Sequence, residues 1–229
     1  MNERFGILHL SDIHASEKTK VTIQRLVGLL KTDILDMQER YNVSIKMICI
    51  TGDLINSGDD ADIQLGIILD ELLQPLMDVF NLDEKSIFVV AGNHEIKRKL
   101  IIPFIETGLS STLVSEAAID EFISTVSTDS LKRIEYFDSN FADMFGGDPV
   151  WKNPLGRAYV VTTDSIKIGI SCLNSAWRST GIGSAEKRKM VIGRKQIIDS
   201  YESIKDADLK ICITHHPFDW LVDEDKSAV

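Results

Sequence analysis

SIFVVAGNHE, residues 86–95, passes from an apolar run straight into a glycine, an amide, an imidazole and a carboxylate. The same transition occurs three more times: FGILHLSDIH at 5–14, IKMICITGDL at 45–54 and LKICITHHP at 209–217. Each apolar run is strand-sized and nearly continuous, as expected of a parallel strand covered on both faces. Each polar cluster begins where the run stops. Functional groups in open α/β sheets gather beyond the carboxyl ends of the strands, so the four clusters are candidates for one shared site.

The segments between the runs support an alternating α/β chain. Lys20–Arg40 carries apolar residues at Val21, Leu26, Val27, Leu30, Ile34, Leu35 and Met37, close to helical periodicity. A second helix is expected over about Ala61–Phe80, interrupted near Pro75. Strand, helix, strand, helix, strand implies a parallel sheet segment. Lys97–Asn153 then breaks the alternation with helical patterns at Ser115–Val126 and Ser130–Met144. This 97–153 stretch reads as a helical insert, either a cap beside the site or a packing layer. Arg157–Thr163 and Ser165–Leu173 read as a hairpin turned at Thr163 and Asp164, Gly193–Ile204 as a helix, and Leu209–Thr214 as a last strand.

Asp12 and His14 stand two apart, so in an extended segment both side chains face the same way and can reach one ion. Asp53 follows Gly52, which permits a sharp turn back over the strand end. Carboxylate, imidazole and amide donors in this mixture suit Mn²⁺, with Fe or Zn²⁺ as alternatives, better than Ca²⁺.

The order and wording of SDIH, GDL, GNHE and HHP resemble the calcineurin-like metallophosphoesterase superfamily. The resemblance covers Phe5 to about Leu221 apart from the insert. It implies a four-layer α/β/β/α sandwich of two mixed sheets with helices outside, in a single domain over residues 1–229. It implies a hydrolase with two divalent metal ions, Asp12, His14 and Asp53 around one, and Asp53, Asn93 and His215 around the other. Asp53 bridges them, and a metal-bound hydroxide attacks phosphorus. His94 is then the catalytic residue, donating a hydrogen bond or proton to the phosphate or leaving group. His216 packs nearby or supports His215, and His9 reads as a core histidine.

Two departures narrow this reading. The family closes with a glycine-histidine-x-histidine motif that completes both metal sites, and no histidine follows His216. The expectation is a chain cut before that motif, with a C-terminal remainder of the same polypeptide as partner. The alternative is a catalytically incomplete regulatory or docking module of a multidomain protein. Protein phosphatases of the superfamily carry G-D-x-x-D-R-G, whereas residues 52–58 read GDLINSG. That favours phosphodiesters, of a nucleotide or a nucleic acid, as substrate. A substrate-side cation is then needed: Arg178, or Lys97 and Arg98. Trp177 is read either as a stacking surface or as part of the core edge.

Composition excludes other classes. A net charge of −10 over 229 residues argues against a protein held to nucleic acid by a basic face. Only Lys97–Lys99 and Glu186–Lys189 are locally basic, and both read as solvated faces. No apolar run reaches the roughly 20 residues of a membrane helix. No signal peptide is readable in MNERFGILHLSD, and Cys49, Cys172 and Cys212 read as reduced thiols in buried strands, so a cytoplasmic protein is expected. No G-x-G-x-x-G or G-x-x-x-x-G-K-[ST] phosphate loop is present.

Overall fold

A computed structural model describes residues 4–125, 128–163, 166–181 and 183–226. Strands β1 (Arg4–Leu10), β2 (Val43–Ile50) and β3 (Ile87–Val89) form a sheet in the order β1-β2-β3. Leu10 pairs with Ile50 and Ile50 with Val89, so the strands end flush and their loops leave side by side. Strands β4 (Trp151–Asn153), β5 (Gly156–Thr162), β6 (Lys167–Leu173) and β7 (Leu209–Ile213) form a second sheet in that order. The second sheet is mixed, with β6 and β7 parallel and the other pairs antiparallel. The first is parallel over its described strands because a helix-length crossover separates each pair.

Alternation along the strands sorts the apolar residues into two layers. Met47, Cys49, Phe88 and Val90 face Tyr159, Ile168, Ile170, Cys172 and Ile213 and fill the space between the sheets. Phe88 and Tyr159 meet edge to face at 5.3 Å, a geometry worth about 1 kcal/mol beyond area burial. Ile48, Ile50, Ile87 and Val89 point the other way, into helices α1 (Lys20–Tyr41), α2 (Ala61–Ile68) and α3 (Gln74–Phe80). The stripe that α1 buries is Ile23, Val27, Leu30 and Ile34, spaced four, three and four. Val21, Leu26, Leu35 and Met37, expected on that face, are exposed because they flank the stripe. One π turn, Leu69–Leu73, joins α2 to α3 just ahead of Pro75. The wider turn absorbs the hydrogen bond that proline cannot make, and the helix continues.

The 97–153 stretch holds α4 (Pro103–Thr112), α5 (Glu116–Thr125) and α6 (Thr128–Asn140). Leu109, Ile119, Ile123, Ile134 and Phe137 from these helices join the same core as α1–α3. Helix α4, which the sequence patterns did not single out, starts at Pro103, a residue that favours a first helical turn. The end of the stretch is strand β4, paired with β5. Of the expected hairpin turn, Asp164 and Ser165 lie outside the described residues. Helix α7 (Arg194–Ser203) covers the outer face of the second sheet, and α8 (Asp223–Lys226) follows β7. Among the described helices, none is long and apolar enough to cross a membrane. The cysteines are free, and Cys49 and Cys172 are buried as expected. Cys212 is exposed instead, because β7 is an edge strand of its sheet.

Candidate metal centre

Three loops meet beyond the ends of β1, β2 and β3. The first lies along the second through backbone bonds from Asp12 N–H to Gly52 O (3.2 Å), His14 N–H to Asp53 O (3.0 Å) and Ala15 N–H to Leu54 O (2.7 Å). The second and third interlock at glycines. A Cβ on Gly52 would collide with Gly92 N, and one on Gly92 with the Asp53 carboxylate. No other residue permits that approach.

Glu95 ties these loops together. Its buried carboxylate accepts N–H bonds from Asp53 (2.8 Å) and Gly92 (2.6 Å) on Oε2, and from Ile55 (3.1 Å) on Oε1. Burial, and then the charge of Asp53, push its pKa up to about 7 against the pull of those three N–H groups. The sequence showed Glu95 only as the fourth letter of GNHE. Its role depends on donors forty residues away.

Asp53 stands at the centre, 4 % exposed. Its Oδ2 lies 3.9 Å from His14 Nε2, and its Oδ1 lies 3.6 Å from His215 Nε2 while accepting the His94 N–H at 2.9 Å. Asp12 Oδ1 is 4.0 Å from His14 Nε2. His215 donates from Nδ1 to Thr51 O at 2.6 Å, so in the neutral ring Nε2 carries a lone pair. That lone pair points 3.3 Å from Asn93 Oδ1. These acceptor atoms converge on one space, an arrangement that a cation satisfies. Two ligands with bonds of about 2.1 Å to one ion lie at most about 4.2 Å apart, and every one of these spacings falls within that span.

Backbone strain marks the same residues. Asp12 (φ 56°), His14 (φ 49°) and Asp53 (φ 52°) are left-handed without being glycine. Such conformations cost about 1–3 kcal/mol each and persist where the surroundings impose them. His14, Asp53 and His94 place one donor atom each within 4.8 Å of one another. The His14 and His94 rings meet edge on at 4.5 Å. His94 donates from Nδ1 to Asn56 O at 2.7 Å, which fixes its ring and leaves Nε2 without a protein partner among the described residues.

The structure thus brings together Asp12, His14, Asp53, Asn93, His94 and His215. Arg178 does not join them: its guanidinium is buried against Glu106 Oε1 (2.8 Å) and Ser110 Oγ (3.0 Å) in the α4 helix. Trp177 is core, stacked on Phe122 at 5.4 Å and donating to Val191 O. Glu186, read as part of a solvated face, is buried and accepts bonds from Ser179, Thr180 and Gly181. His216 is buried beside His215, with Nδ1 3.0 Å from Ser175 Oγ. Burial, and then the neighbouring His215, push its pKa down to about 4. His9 is an exposed residue of β1 rather than a core one, with Nε2 2.8 Å from Thr51 Oγ1.

A comparison with curated proteins returns no match. The sequence profile of calcineurin-like phosphoesterases matches residues 5–228, nearly end to end, and the chain belongs to that family of metal-dependent hydrolases.

Proposed function

We propose that this protein hydrolyses phosphodiesters, those of a nucleotide or nucleic acid, at a site for two divalent cations. One observation carries the reading: the two oxygens of Asp53 face two different histidines, His14 on one side and His215 on the other. Asp12, His14 and Asp53 would hold one ion, and Asp53, Asn93 and His215 the other. Mn²⁺ suits these donors, with Fe or Zn²⁺ as alternatives. Bound there, the ions would activate water and neutralise charge on the phosphoryl group.

The chain's own groups do the rest. Asn56 O holds the His94 ring by Nδ1, so Nε2 faces away from that bond, and the doubly protonated ring would donate a hydrogen bond or proton from it to the leaving oxygen. In the protein phosphatases of the superfamily, from which this chain departs, an aspartate at the position of Asn56 supports the histidine. Here a neutral carbonyl does so, which supports a different substrate class. A groove of about 320 Å³ lined by Ser16, Lys18, Asn56, Asp60 and Gln64 adjoins the loop that holds His94. Its size supports a substrate with a second group on phosphorus. Among the described residues, β1 and β7 are edge strands, and the loops that follow them carry Asp12 and His215.

The test is hydrolysis of bis(p-nitrophenyl) phosphate with Mn²⁺, by the wild type and by Asp53→Ala. Metal-dependent turnover that drops to background in the variant is expected. No turnover by the wild type in Mn²⁺, Fe²⁺ or Zn²⁺ would sink the enzyme reading and favour a binding module.

A further inference from the structure

Arg178, which the fold withdraws from the metal centre, belongs to a second cluster. It shares the Glu106 carboxylate with Arg133: Oε1 accepts from Arg178 Nη2 and Oε2 from Arg133 Nη1, each at 2.8 Å. Both guanidiniums are buried, Arg133 at 3 % and Arg178 at 6 % exposure. The trio therefore carries one positive charge in excess, and a buried charge without full compensation is costly. Arg178 also keeps donors in reserve. Of its three nitrogens, only Nη2 has hydrogen-bond partners among the described residues, Glu106 and Ser110 Oγ at 3.0 Å, while Nε is buried and unpaired.

Arg178 also lines a cavity of about 450 Å³, set between the C-terminal end of α4, the turn at 187–189 and the start of α8. Among the described residues, none of the metal-centre donors lines it. Two more cations do, Arg188 and Lys189, both exposed. Arg188 is paired with Asp223, and both side chains are 65 % exposed. Such a surface pair is worth about 0–1 kcal/mol, so the guanidinium can turn to a ligand at little cost. Lys189 has no carboxylate partner among the described residues. Glu224 lines the cavity too, but has a partner of its own. Leu113, Val114 and Val222 add an apolar wall. The volume lies within the roughly 300–1,000 Å³ of small-molecule pockets, which combine apolar walls with a few convergent polar groups.

We propose that this cavity binds a small organic anion, a phosphate or carboxylate head on an apolar body. Arg178 grips the head from the buried side, and Arg188 and Lys189 hold it from the exposed side. The anion supplies the counter-charge that Glu106 divides between two arginines. A planar guanidinium suits that task, because its fork matches two oxygens of one carboxylate or phosphate. The binding requires no metal.

Calorimetry of the full chain in EDTA, which strips the metal centre of ions, measures phenyl phosphate, benzoate and inorganic phosphate. Phenyl phosphate or benzoate is expected to bind more tightly than inorganic phosphate, which lacks the apolar body, and the better of the two identifies the head group. Arg178→Lys should weaken that binding about tenfold or more. Because Arg178 is buried, a second variant separates binding from folding: Arg188→Ala with Lys189→Ala should weaken binding severalfold at an unchanged melting temperature. Lys187→Ala, on the same turn but outside the cavity, should leave it unchanged. No binding of either organic anion at about 10 mM, or binding that the Arg188 and Lys189 double change leaves intact, would overturn the inference. Hydrolysis of the diester with Mn²⁺ would still stand or fall on its own assay.

Discussion

Replacing Glu95 should loosen the metal centre without touching any donor. Its carboxylate satisfies three backbone N–H groups from the loops after β2 and β3. Each buried donor left without a partner costs about 1–3 kcal/mol. Glu95→Ala strands all three, a penalty of about 3–9 kcal/mol that rivals the stability of a whole domain. Glu95→Gln is the more informative change. Its single oxygen can keep the Asp53 and Gly92 bonds, but its amide nitrogen then opposes Ile55 N–H. The expected loss is about 1–3 kcal/mol, in part offset by removing a charge beside Asp53. Urea unfolding of metal-free protein at pH 7.5 gives the ranking, and Mn²⁺ titration reports the site. Expected stability falls from wild type through Gln to Ala, with weaker Mn²⁺ binding in Gln. An Ala variant within about 0.5 kcal/mol of wild type, below the cost of a single lost bond, would refute the reasoning.

Three further outcomes are expected. His216 titrates near 4 when folded and near 6.5 when unfolded, so stability is lost as pH falls below 6.5. Between pH 7.5 and pH 5 that loss is about 2 kcal/mol, and thermal melts of His216→Gln should show a shallower decline than wild type. Gly169→Ala would set a Cβ 2.7 Å from Ile204 Cβ and 3.1 Å from Ala207 Cβ, where α7 closes on the second sheet. Overpacking there should cost about 1–3 kcal/mol in chemical denaturation. Trp177→Phe should lower the melting temperature, through the lost bond to Val191 O, while leaving KM for the diester unchanged.

The strands and the site were legible in the sequence for one reason. Buried parallel strands are continuous apolar runs, and their loops carry the chemistry directly after them. Asp12, Asp53 and Asn93 could therefore be located at strand ends from local text, whereas their roles came from the family resemblance, and the Asp12–His14 segment expected to be extended is left-handed at both residues. Features that depend on distant partners were not legible. Nothing near Arg178 in sequence shows that Glu106, 72 residues earlier, neutralises it. Glu95 and Glu186 look like surface carboxylates until the N–H groups that surround them are known. The buried stripe of α1 was misjudged because its apolar residues extend beyond one face, and burial depends on which of them meets β1–β3. Cys212 looks like its neighbours in LKICIT, and only its place at a sheet edge exposes it.

The bond from His215 to Thr51 spans 164 residues of chain. Every other donor at the centre lies within the first ninety-four residues, in loops that bond to one another locally. During synthesis the ribosome thus delivers Asp12, His14, Asp53, Asn93 and His94 early, together with the strands that hold them. The remaining histidine emerges more than a hundred residues later and joins only when β7 docks beside β6. Closure of so long a loop is slow and entropically opposed. Given the proposed ligand set, an ion that depends on His215 would load late in maturation, and its uptake would report that the second sheet has assembled.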